Sequence, residues 1–345
     1  MNFASDNNSG VCPEVIAAIA AEAESSDAAY GLDHQSARLE EAMAEVFERP
    51  VGVYPVPTGT AANALALAAS NPVWGTVICH DLAHIAVDEC SAPTVLGGGL
   101  TLTPLAAEHG RLTPEAIDSH ATNRRDNGVH TAAITGLSIT QATEFGTVYS
   151  PAEIAALATT AHDRSMAVHM DGARFANAVA ASGATPAELT WRAGVDLLSF
   201  GATKGGAMAA EAVIVFTDDL RDDLERLRKR SGHLLSKQRF ASAQFNGWLA
   251  DGTWLDHARH ANACARRLAD GLGAAGTEVL HPVDTNMVFP VLSAAAHGAL
   301  QAAGASYYVE SPPPYDQGLR VRLVTSWSTT EAAVDSFVET VAGAA

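Results

Sequence analysis

The sequence predicts an α/β protein in which helices cover both faces of a mostly parallel sheet, with a smaller α+β domain at the C-terminal end. Its 345 residues are enough for two domains at roughly 150 residues each. Apolar segments without period-two alternation are separated by stretches of helical periodicity, which is the pattern of parallel strands buried on both faces. Hydrophobic residues make up 48% of the chain and charged residues 17%, and this composition is typical of a folded rather than a disordered protein.

The elements follow one another in the order expected for βαβ units. Helical spacing covers residues 13–24 and 34–48, a strand begins at Val51, and the turn Thr58-Gly59-Thr60 leads into an Ala- and Leu-rich helix. Further strands are predicted at 75–80, from Thr131, at 166–171 and from Val195, and further helices at about 151–164 and after Arg174.

The composition changes near residue 219, where long charged helices begin. Short strands near Asn286, Ser306 and Val321 and a last helix from Thr329 follow. We therefore expect a large domain over residues 1–250 and a small one over 251–345. The first dozen residues are expected to pack on the small domain or on a neighbouring subunit.

Charge and cysteine usage exclude several classes of function. With 21 basic and 39 acidic residues the formal net charge is −18, which repels nucleic acid and anionic membrane surfaces. The four cysteines form no C-x-x-C pair, so we expect reduced thiols. The first residues lack the features of a signal peptide, and Pro and Asn interrupt the long uncharged stretch at 50–80. We expect a cytoplasmic protein without a transmembrane helix.

The number of lysines limits the candidates for a reactive side chain more than any other count. The chain has 18 Arg but only three Lys, which are Lys204, Lys229 and Lys237. Lys204 follows the predicted strand VDLLSF, whereas the other two lie in strongly cationic helical segments. Asp171 closes the strand MAVHMD. Because the carboxyl ends of parallel strands meet at the ligand-binding edge of an open sheet, Asp171 and Lys204 are expected to lie close together there.

Together, Lys204 and Asp171 suit pyridoxal phosphate as a cofactor. A lysine forms the Schiff base with this cofactor, and a carboxylate keeps its pyridine nitrogen protonated so that the ring accepts electrons. A structural ion pair beside a surface lysine is the alternative that these two residues alone leave open.

Two further segments carry groups that bind anions. In PTGTAANALAL, the free backbone N–H groups at a helix start and the hydroxyls of Thr58 and Thr60 form a site fit for a phosphate, although an ordinary turn and N-cap use the same residues. Near the C-terminal end, Arg320 and Arg322 lie on the same side of a strand. They are interpreted as a fork for a substrate carboxylate or, alternatively, as part of a salt-bridged strand.

Histidines in the segment HDLAHIAVDECSAP form another candidate group. His80, His84 and Asp88 have the i, i+4, i+8 spacing of one helix face, which is also compatible with a metal site. No further ligand cluster accompanies them in the sequence. His84 is therefore interpreted as a ring stacked on an aromatic cofactor or as an ordinary surface histidine.

Taken together, these segments resemble the L-threonine aldolase family, pyridoxal-phosphate enzymes with the aspartate-aminotransferase-type fold, fold type I. The resemblance covers nearly the whole chain, in nine segments that keep the family's order: FASDN, YGLD, PTGTAAN, HDLAHIAVDECSAP, TQATEFGTVYSP, HMDGARFANA, DLLSFGATKGG, SGHLLSKQRF and VRLVTS. No single segment is specific, but nine in this order are.

The resemblance implies roles for individual residues. It makes Lys204 the Schiff-base lysine, Asp171 the partner of the pyridine nitrogen, and His84 the stacking ring. The other implied contacts are Thr58, Gly59 and Thr60 at the phosphate, Lys237 near it, Ser5, Arg174 and Arg322 at the substrate carboxylate or the cofactor oxygen, and Tyr30 in a segment that completes a site shared between subunits. A homodimer with shared active sites, assembled further into a homotetramer, is implied as well, without a metal.

Two departures from the family pattern bear on the mechanism. Thr140-Gln141-Ala142-Thr143-Glu144 stands where one branch of the family carries Asn-Thr-His-Asn, so a histidine proposed there as the base is absent. His84, favoured because a neutral imidazole suits proton transfer near neutral pH, Glu144 and a bound water are the candidates for the base. The chain also reads Gly205-Gly206 after the lysine, where related sequences often have a polar residue.

The implied reaction is retro-aldol cleavage of L-threonine, L-allo-threonine or a related β-hydroxy-α-amino acid to glycine and an aldehyde. Because the fold and the lysine do not determine which bond breaks, another pyridoxal-phosphate reaction such as β-elimination or racemisation is the first alternative. A non-catalytic binding protein is the second, and the presence of lysine, aspartate and arginine together argues against it.

Overall fold

A seven-stranded sheet forms the centre of the computed structural model, which describes residues 1–310 and 318–344. Its strands are β1 (Gly52–Val56), β2 (Gly75–His80), β3 (Thr101–Leu105), β4 (Ala133–Thr140), β5 (Ala167–Gly172), β6 (Leu197–Gly201) and β7 (Glu211–Val215). They lie in the order β1-β7-β6-β5-β4-β2-β3. Only β7 runs antiparallel to its neighbours, which confirms the predicted mostly parallel sheet.

Helices flank this sheet and extend into the C-terminal part of the chain. They are α1 (Pro13–Ala23), α2 (His34–Val46), α3 (Gly59–Ser70), α4 (His84–Val87), α5 (Ala92–Leu96), α6 (Pro114–Asn123), α7 (Pro151–His162), α8 (Phe175–Ser182), α9 (Arg221–Arg230), α10 (Arg239–Leu249), α11 (Thr253–Ala274), α12 (Ala294–Ala302) and α13 (Glu331–Ala342). Side-chain caps start several of them: Thr58 caps α3, as its place in the sequence allows, and Ser150 forms a capping box with Glu153 at the start of α7. Over the described residues, the length and apolarity that a bilayer span requires are not combined in any helix.

Several strands of the large sheet are buried along their whole length. Every residue of β2 and of β6 is buried, which is why their sequences are continuously apolar rather than alternating. Aromatic rings fill one side, where Phe200 packs against Phe47, Phe175 and Trp248 with ring centroids 6.0, 5.9 and 5.7 Å away. Such packing holds the C-terminal end of β6, and the turn that follows it, in a close-packed environment.

A small antiparallel sheet lies in the C-terminal part of the chain. Its strands are β8 (Met287–Val288), β9 (Val291–Leu292), β10 (Tyr308–Val309) and β11 (Leu319–Val324), with β11 paired to the other three. Phe3 is fully buried in the core of this region together with Leu268 and Phe337, and its backbone bonds to Ser306 and Val324. Because α11 contributes Trp254 to the larger core and Leu268 to the smaller one, the division near residue 250 stays a proposal.

One local prediction is wrong, because His80, His84 and Asp88 do not share a helix face. His80 is the last residue of β2, and its ring nitrogen Nε2 lies 3.1 Å from the carbonyl oxygen of Ala107. Helix α4 is only four residues long and has Asp88 as its C-cap. Pairing of the strand through His80 therefore overrides the helical spacing that the sequence suggests. Within 1–310 and 318–344, no group of three or more His, Cys, Asp and Glu side chains is arranged to hold a metal ion.

Candidate active site

A cavity of about 960 Å³ lies at the carboxyl ends of β5 and β6 and reaches the small sheet. It has the location that open α/β sheets use for ligands. The candidate residues from the sequence analysis that line it are Thr58, Gly59, Thr60, His84, Asp88, Glu144, Asp171, Arg174, Lys204, Arg320 and Arg322. The chain thus brings together side chains from α3, the segment after β2, the ends of β5 and β6, and β11.

Lys204 lies in a short turn, Thr203–Gly205, directly after β6. Its amine is desolvated, and this burial, with the nearby Arg174 charge, lowers the pKa of the lysine, although the carboxyl groups of Asp6, Asp171 and Glu211 oppose the shift. A lowered pKa increases the fraction of free amine, which is the form that attacks a carbonyl group.

The turn that carries Lys204 is held by two ring N–H groups. The carbonyl oxygen of Gly205 accepts a hydrogen bond of 2.9 Å from the indole Nε1 of Trp248, and Nδ1 of His257 lies 2.9 Å from the same oxygen. A Cβ atom on residue 205 would lie 2.5 Å from Cζ2 of Trp248, which is far inside van der Waals contact. Glycine after the lysine, noted in the sequence as a departure, is therefore required by the packing of Trp248.

Asp171 lies at one end of a buried network of hydrogen bonds. Its Oδ2 accepts a hydrogen bond of 2.8 Å from Nδ2 of Asn63, which also donates to Oε1 of Glu89 at 2.8 Å. The same Glu89 oxygen lies 2.8 Å from Nδ1 of His84. The Glu89 side chain is fully buried, whereas the His84 side chain is about half exposed. The network therefore links buried groups to the His84 ring at the cavity wall.

This network shifts the pKa of both Glu89 and His84. Burial raises the pKa of Glu89, whereas its hydrogen bonds to His84 and Asn63 act in the opposite direction. The Glu89 hydrogen bond is in turn the main reason why the pKa of His84 is raised, with burial opposing it. Sequence reasoning missed Asn63 and Glu89, although both lie inside segments that it had already singled out.

Arg174 is oriented by a buried carboxylate. Its Nε and Nη2 atoms donate hydrogen bonds of 2.8 and 2.9 Å to the two oxygens of Asp6, and Nδ2 of Asn286 donates to Asp6 as well. Burial alone would raise the pKa of Asp6, but the Arg174 charge and hydrogen bonds lower it, so the pair is ionic. Asp6 was not predicted, and the only sequence signal was its place in the segment FASDN.

On the small-sheet side, Arg322 presents an unsatisfied donor. Its guanidinium lies 4.7 Å from the centre of the Tyr308 ring, and its buried Nε has no hydrogen-bond partner in the part of the chain that the structure describes. A buried, unpaired guanidinium N–H is costly, and a ligand carboxylate would satisfy it.

Glu144 occupies the cavity wall beside the end of β4. Thr140 donates a hydrogen bond of 2.6 Å to its Oε1, and Oε2 is buried without a partner among the described residues. Burial raises the pKa of this carboxyl group. Next to it, the Phe145 ring packs on His281 at 4.2 Å and on Phe289 at 5.7 Å, which makes this part of the wall largely apolar.

Three predicted site residues do not line the cavity of their own chain. The Ser5 side chain accepts a hydrogen bond from the backbone N–H of Asn7, and it is Asn7 that lines the cavity. Tyr30 is 49% exposed and carries the Lys229 ammonium 4.4 Å from its ring centre. Tyr30 and Lys237 both lie outside the cavity.

The donor set fits pyridoxal phosphate. Lys204 supplies an amine and Asp171 a carboxylate in one cavity. Asn63 lines the cavity as well, and its buried Oδ1 has no partner within the described ranges, as expected where a ligand brings a polar group. Above Gly59 the nearest atom to an added Cβ is 3.9 Å away, so the start of α3 leaves room for a phosphate.

Comparisons with known proteins agree with this assignment. A family model described as beta-eliminating lyase matches residues 2–295. A low specificity L-threonine aldolase from Pseudomonas sp. (strain NCIMB 10558) is 42% identical over 333 residues, which cover 96% of this chain and 94% of that protein.

Solved structures give the same result for the fold. A threonine aldolase from Leishmania major superposes with a TM-score of 0.92 at 28% identity and covers 99% of this chain and 98% of its own. A variant of Thermus thermophilus aspartate aminotransferase has a TM-score of 0.72 at 17% identity, with 100% of this chain and 96% of its own covered. The second likeness concerns the fold alone, and it confirms the predicted aspartate-aminotransferase-type architecture.

Proposed function

The chain belongs to the beta-eliminating lyase family, and from this premise we propose that it cleaves L-threonine and L-allo-threonine to glycine and acetaldehyde. The enzyme is a carbon–carbon lyase with pyridoxal 5′-phosphate as its cofactor. The observation that supports the substrate class best is the joint presence of Lys204, Asp171 and Arg322 in one cavity, because these supply an amine, a carboxylate and a carboxylate receptor.

The residues that would hold the cofactor line the cavity at the edge of the large sheet where β5 and β6 end. The start of α3, with Thr58, Gly59 and Thr60, is the proposed phosphate site, and Lys204 is the amine that would bond the cofactor aldehyde. Asp171, kept in place by Asn63, would hold the proton on the ring nitrogen. When bound, pyridoxal phosphate supplies an electron-accepting ring that stabilises the electron pair of the broken Cα–Cβ bond.

The substrate is positioned by arginine. Arg322 is proposed to bind the substrate carboxylate, which would satisfy the Nε that lacks a partner among the described residues. Arg174, oriented by Asp6, is proposed to bind the cofactor oxygen or the same carboxylate. Fixing the carboxylate orients the Cα–Cβ bond and reduces the entropy that is lost on reaching the transition state.

His84 is the proposed base for the β-hydroxyl proton. Its Nδ1 is engaged by Glu89, so Nε2 is the nitrogen left to accept a proton, directly or through water. Glu144 is the second candidate, because its Oε2 is unpartnered in the described structure. Replacing each residue separately, as His84→Asn and Glu144→Gln, tests the assignment: an unchanged cleavage rate in the His84 variant would transfer the role to Glu144 or to water.

Product analysis separates the proposed reaction from its alternatives. Incubation of the purified, cofactor-loaded protein with L-threonine should release glycine and acetaldehyde in equal amounts. Ammonia and a keto acid would indicate β-elimination instead, and loss of optical activity without cleavage would indicate racemisation. A titration with glycine, followed by visible absorbance, adds a second readout, since a new long-wavelength band reports loss of a proton from Cα.

We also propose that the active unit is a homodimer, with pairs of dimers forming a tetramer. Tyr30 and Lys237 lie outside the cavity of their own chain, so a second copy would have to supply them. Apolar side chains at the cavity rim support the proposal, since Leu82, Val87 and Met208 are each about half exposed.

Light scattering measures the mass of the assembly in solution. Mixing an inactive Lys204→Ala chain with an inactive Tyr30→Ala chain should restore activity if the sites are shared.

A cytoplasmic location is proposed from the state of the cysteines. Cys12, Cys79, Cys90 and Cys264 are all unpaired thiols, as expected in a reducing compartment. Burial raises the pKa of Cys79 to about 12, so this thiol stays protonated and unreactive. Thiol titration of protein from gently lysed cells should find four free thiols after unfolding, whereas intermolecular disulfides would contradict the proposal.

A further inference from the structure

Glu211 is a buried acid in the cavity to which none of the steps above assigns a role. It is the first residue of β7 and pairs with Val56 at the end of β1 and with Gly201 at the end of β6. Because β7 is antiparallel to both strands, its beginning lies at the edge where they end. The Glu211 side chain therefore lines the same cavity as Lys204.

The carboxyl group of Glu211 lies beside the proposed phosphate turn. Its Oε1 accepts a hydrogen bond of 3.4 Å from the backbone N–H of Thr203. Its Oε2 lies 2.8 Å from where a Cβ atom on Gly201 would be and 3.9 Å from the corresponding position on Gly59. A side chain at Gly201 would therefore collide with this carboxyl group, whereas the start of α3 lies at van der Waals distance from it.

Burial favours the neutral form of Glu211. Burial raises the pKa of this carboxyl group to about 7, with Lys204 and the Thr203 hydrogen bonds opposing the shift and Asp171 contributing to it. Lys204 comes from the turn after β6 and Asp171 from β5, whereas the facing residues of β1 and α3 are uncharged. An ionised Glu211 would repel a phosphate dianion at this short range, but a protonated one has an O–H to donate.

We propose that Glu211 binds the cofactor phosphate as a neutral acid, donating a hydrogen bond to it, so that cofactor binding takes up one proton. The proposal rests on the phosphate site at Thr58 to Thr60. Glu211 is then the cofactor contact that makes affinity depend on pH, which the hydroxyls and backbone N–H groups of the turn cannot do.

The expected size of the effect follows from linkage. If only the protonated form accepts the phosphate, the dissociation constant is multiplied by one plus the ratio of ionised to protonated Glu211 in the free protein. With the midpoint near pH 7, this factor grows by about fifty-fold between pH 7 and pH 9. At pH 8, binding should take up about one proton.

The experiment uses the full-length chain, freed of cofactor and titrated with pyridoxal 5′-phosphate at pH 6, 7, 8 and 9. Calorimetry in buffers of different ionisation enthalpy counts the protons. The variant Glu211→Gln keeps a donor but cannot ionise, so its affinity should match the wild type at pH 6 and should not show the additional fifty-fold loss at pH 9. Glu211→Ala should bind weakly at every pH.

Two controls make the result decisive. Pyridoxal, which lacks the phosphate, should show the same pH dependence in the wild type and in Glu211→Gln. A difference between the two proteins in pyridoxal binding would show that Glu211 acts on Lys204 rather than on the phosphate, and it would overturn the proposal. Thr60→Ala should weaken pyridoxal 5′-phosphate binding without changing its pH dependence, and no effect of this variant would refute the phosphate site itself. Equal proton uptake by the wild type and Glu211→Gln would refute the role of Glu211 while leaving that site, and the cleavage reaction, intact.

Discussion

Replacing Gly205 by alanine tests whether packing after the lysine positions the catalytic amine. The added Cβ would lie 2.5, 2.8 and 2.9 Å from Cζ2, Cε2 and Nε1 of Trp248, whereas carbon atoms pack at about 3.5–4.0 Å. Trp248 cannot yield easily, because it is fully buried and packs on Phe200, Phe245 and Trp254. The turn must therefore move by about 1 Å, and Lys204 must move with it.

Two magnitudes follow from this displacement. Overpacking of a buried site lowers the free energy of unfolding by about 1–3 kcal/mol. A misplacement of about 1 Å in a reacting group costs on the order of 10²-fold in rate. We expect Gly205→Ala to show both losses. Urea unfolding measures the first, and threonine cleavage, followed by an alcohol dehydrogenase that reduces the released acetaldehyde, measures the second.

Gly273→Ala is the matched control, since it makes the same chemical change in helix α11. No atom lies within 4 Å of the Cβ position there. The variant should gain up to about 1 kcal/mol from helix propensity and keep full activity. If Gly205→Ala unfolds and cleaves threonine like the wild type, the Trp248 contact does not position the lysine turn and the reasoning fails.

Three further predictions concern proton transfer and substrate binding. If His84 is the base, its neutral form accepts the proton, so activity should fall as the pH drops through its pKa, which lies above the usual 6.5 because Glu89 raises it. Glu89→Gln removes that charge and should move the acid limb of the kcat profile to lower pH; a limb that stays in place belongs to another group. His84→Asn should lower kcat by about 10²–10⁴-fold and remove the limb, and full activity would exclude His84 as the base. Arg322→Lys should raise KM about 10- to 100-fold through loss of charged hydrogen bonds, with a smaller change in kcat. The control Arg259→Lys, at an exposed ion pair with Asp256, should change neither constant. A normal KM in Arg322→Lys would mean that the substrate carboxylate binds elsewhere.

The fold and the two central residues of the site were predictable because their signals are local. Continuous apolar runs marked the buried strands, and Asp171, near the end of β5, and Lys204, just after β6, lie in one cavity as expected. Caps and glycine turns, such as Thr58 before α3, also act within a few residues of sequence. The helix assigned across His80 to Asp88 was wrong, because strand pairing decided where β2 ends.

The rest of the site depends on contacts between residues far apart in sequence. Asp6 and Arg174 are separated by 168 positions, and Asn63 looks like any polar residue of an Ala-rich helix until it bridges Glu89 and Asp171. No periodicity reports such a pairing, since it arises only when strands and helices from distant parts of the chain meet at one edge.

The sequence by itself determined the class of fold, the sheet edge at which the cavity lies and the lysine and aspartate that meet in it. These follow from short-range patterns of hydrophobicity and turn residues. Only the tertiary structure decided the environment of those groups: which carboxyl group is buried beside the phosphate turn, which ring holds the lysine turn, and which acid raises the pKa of His84. Burial and through-space charge control protonation, and both are properties of the folded chain rather than of neighbouring letters.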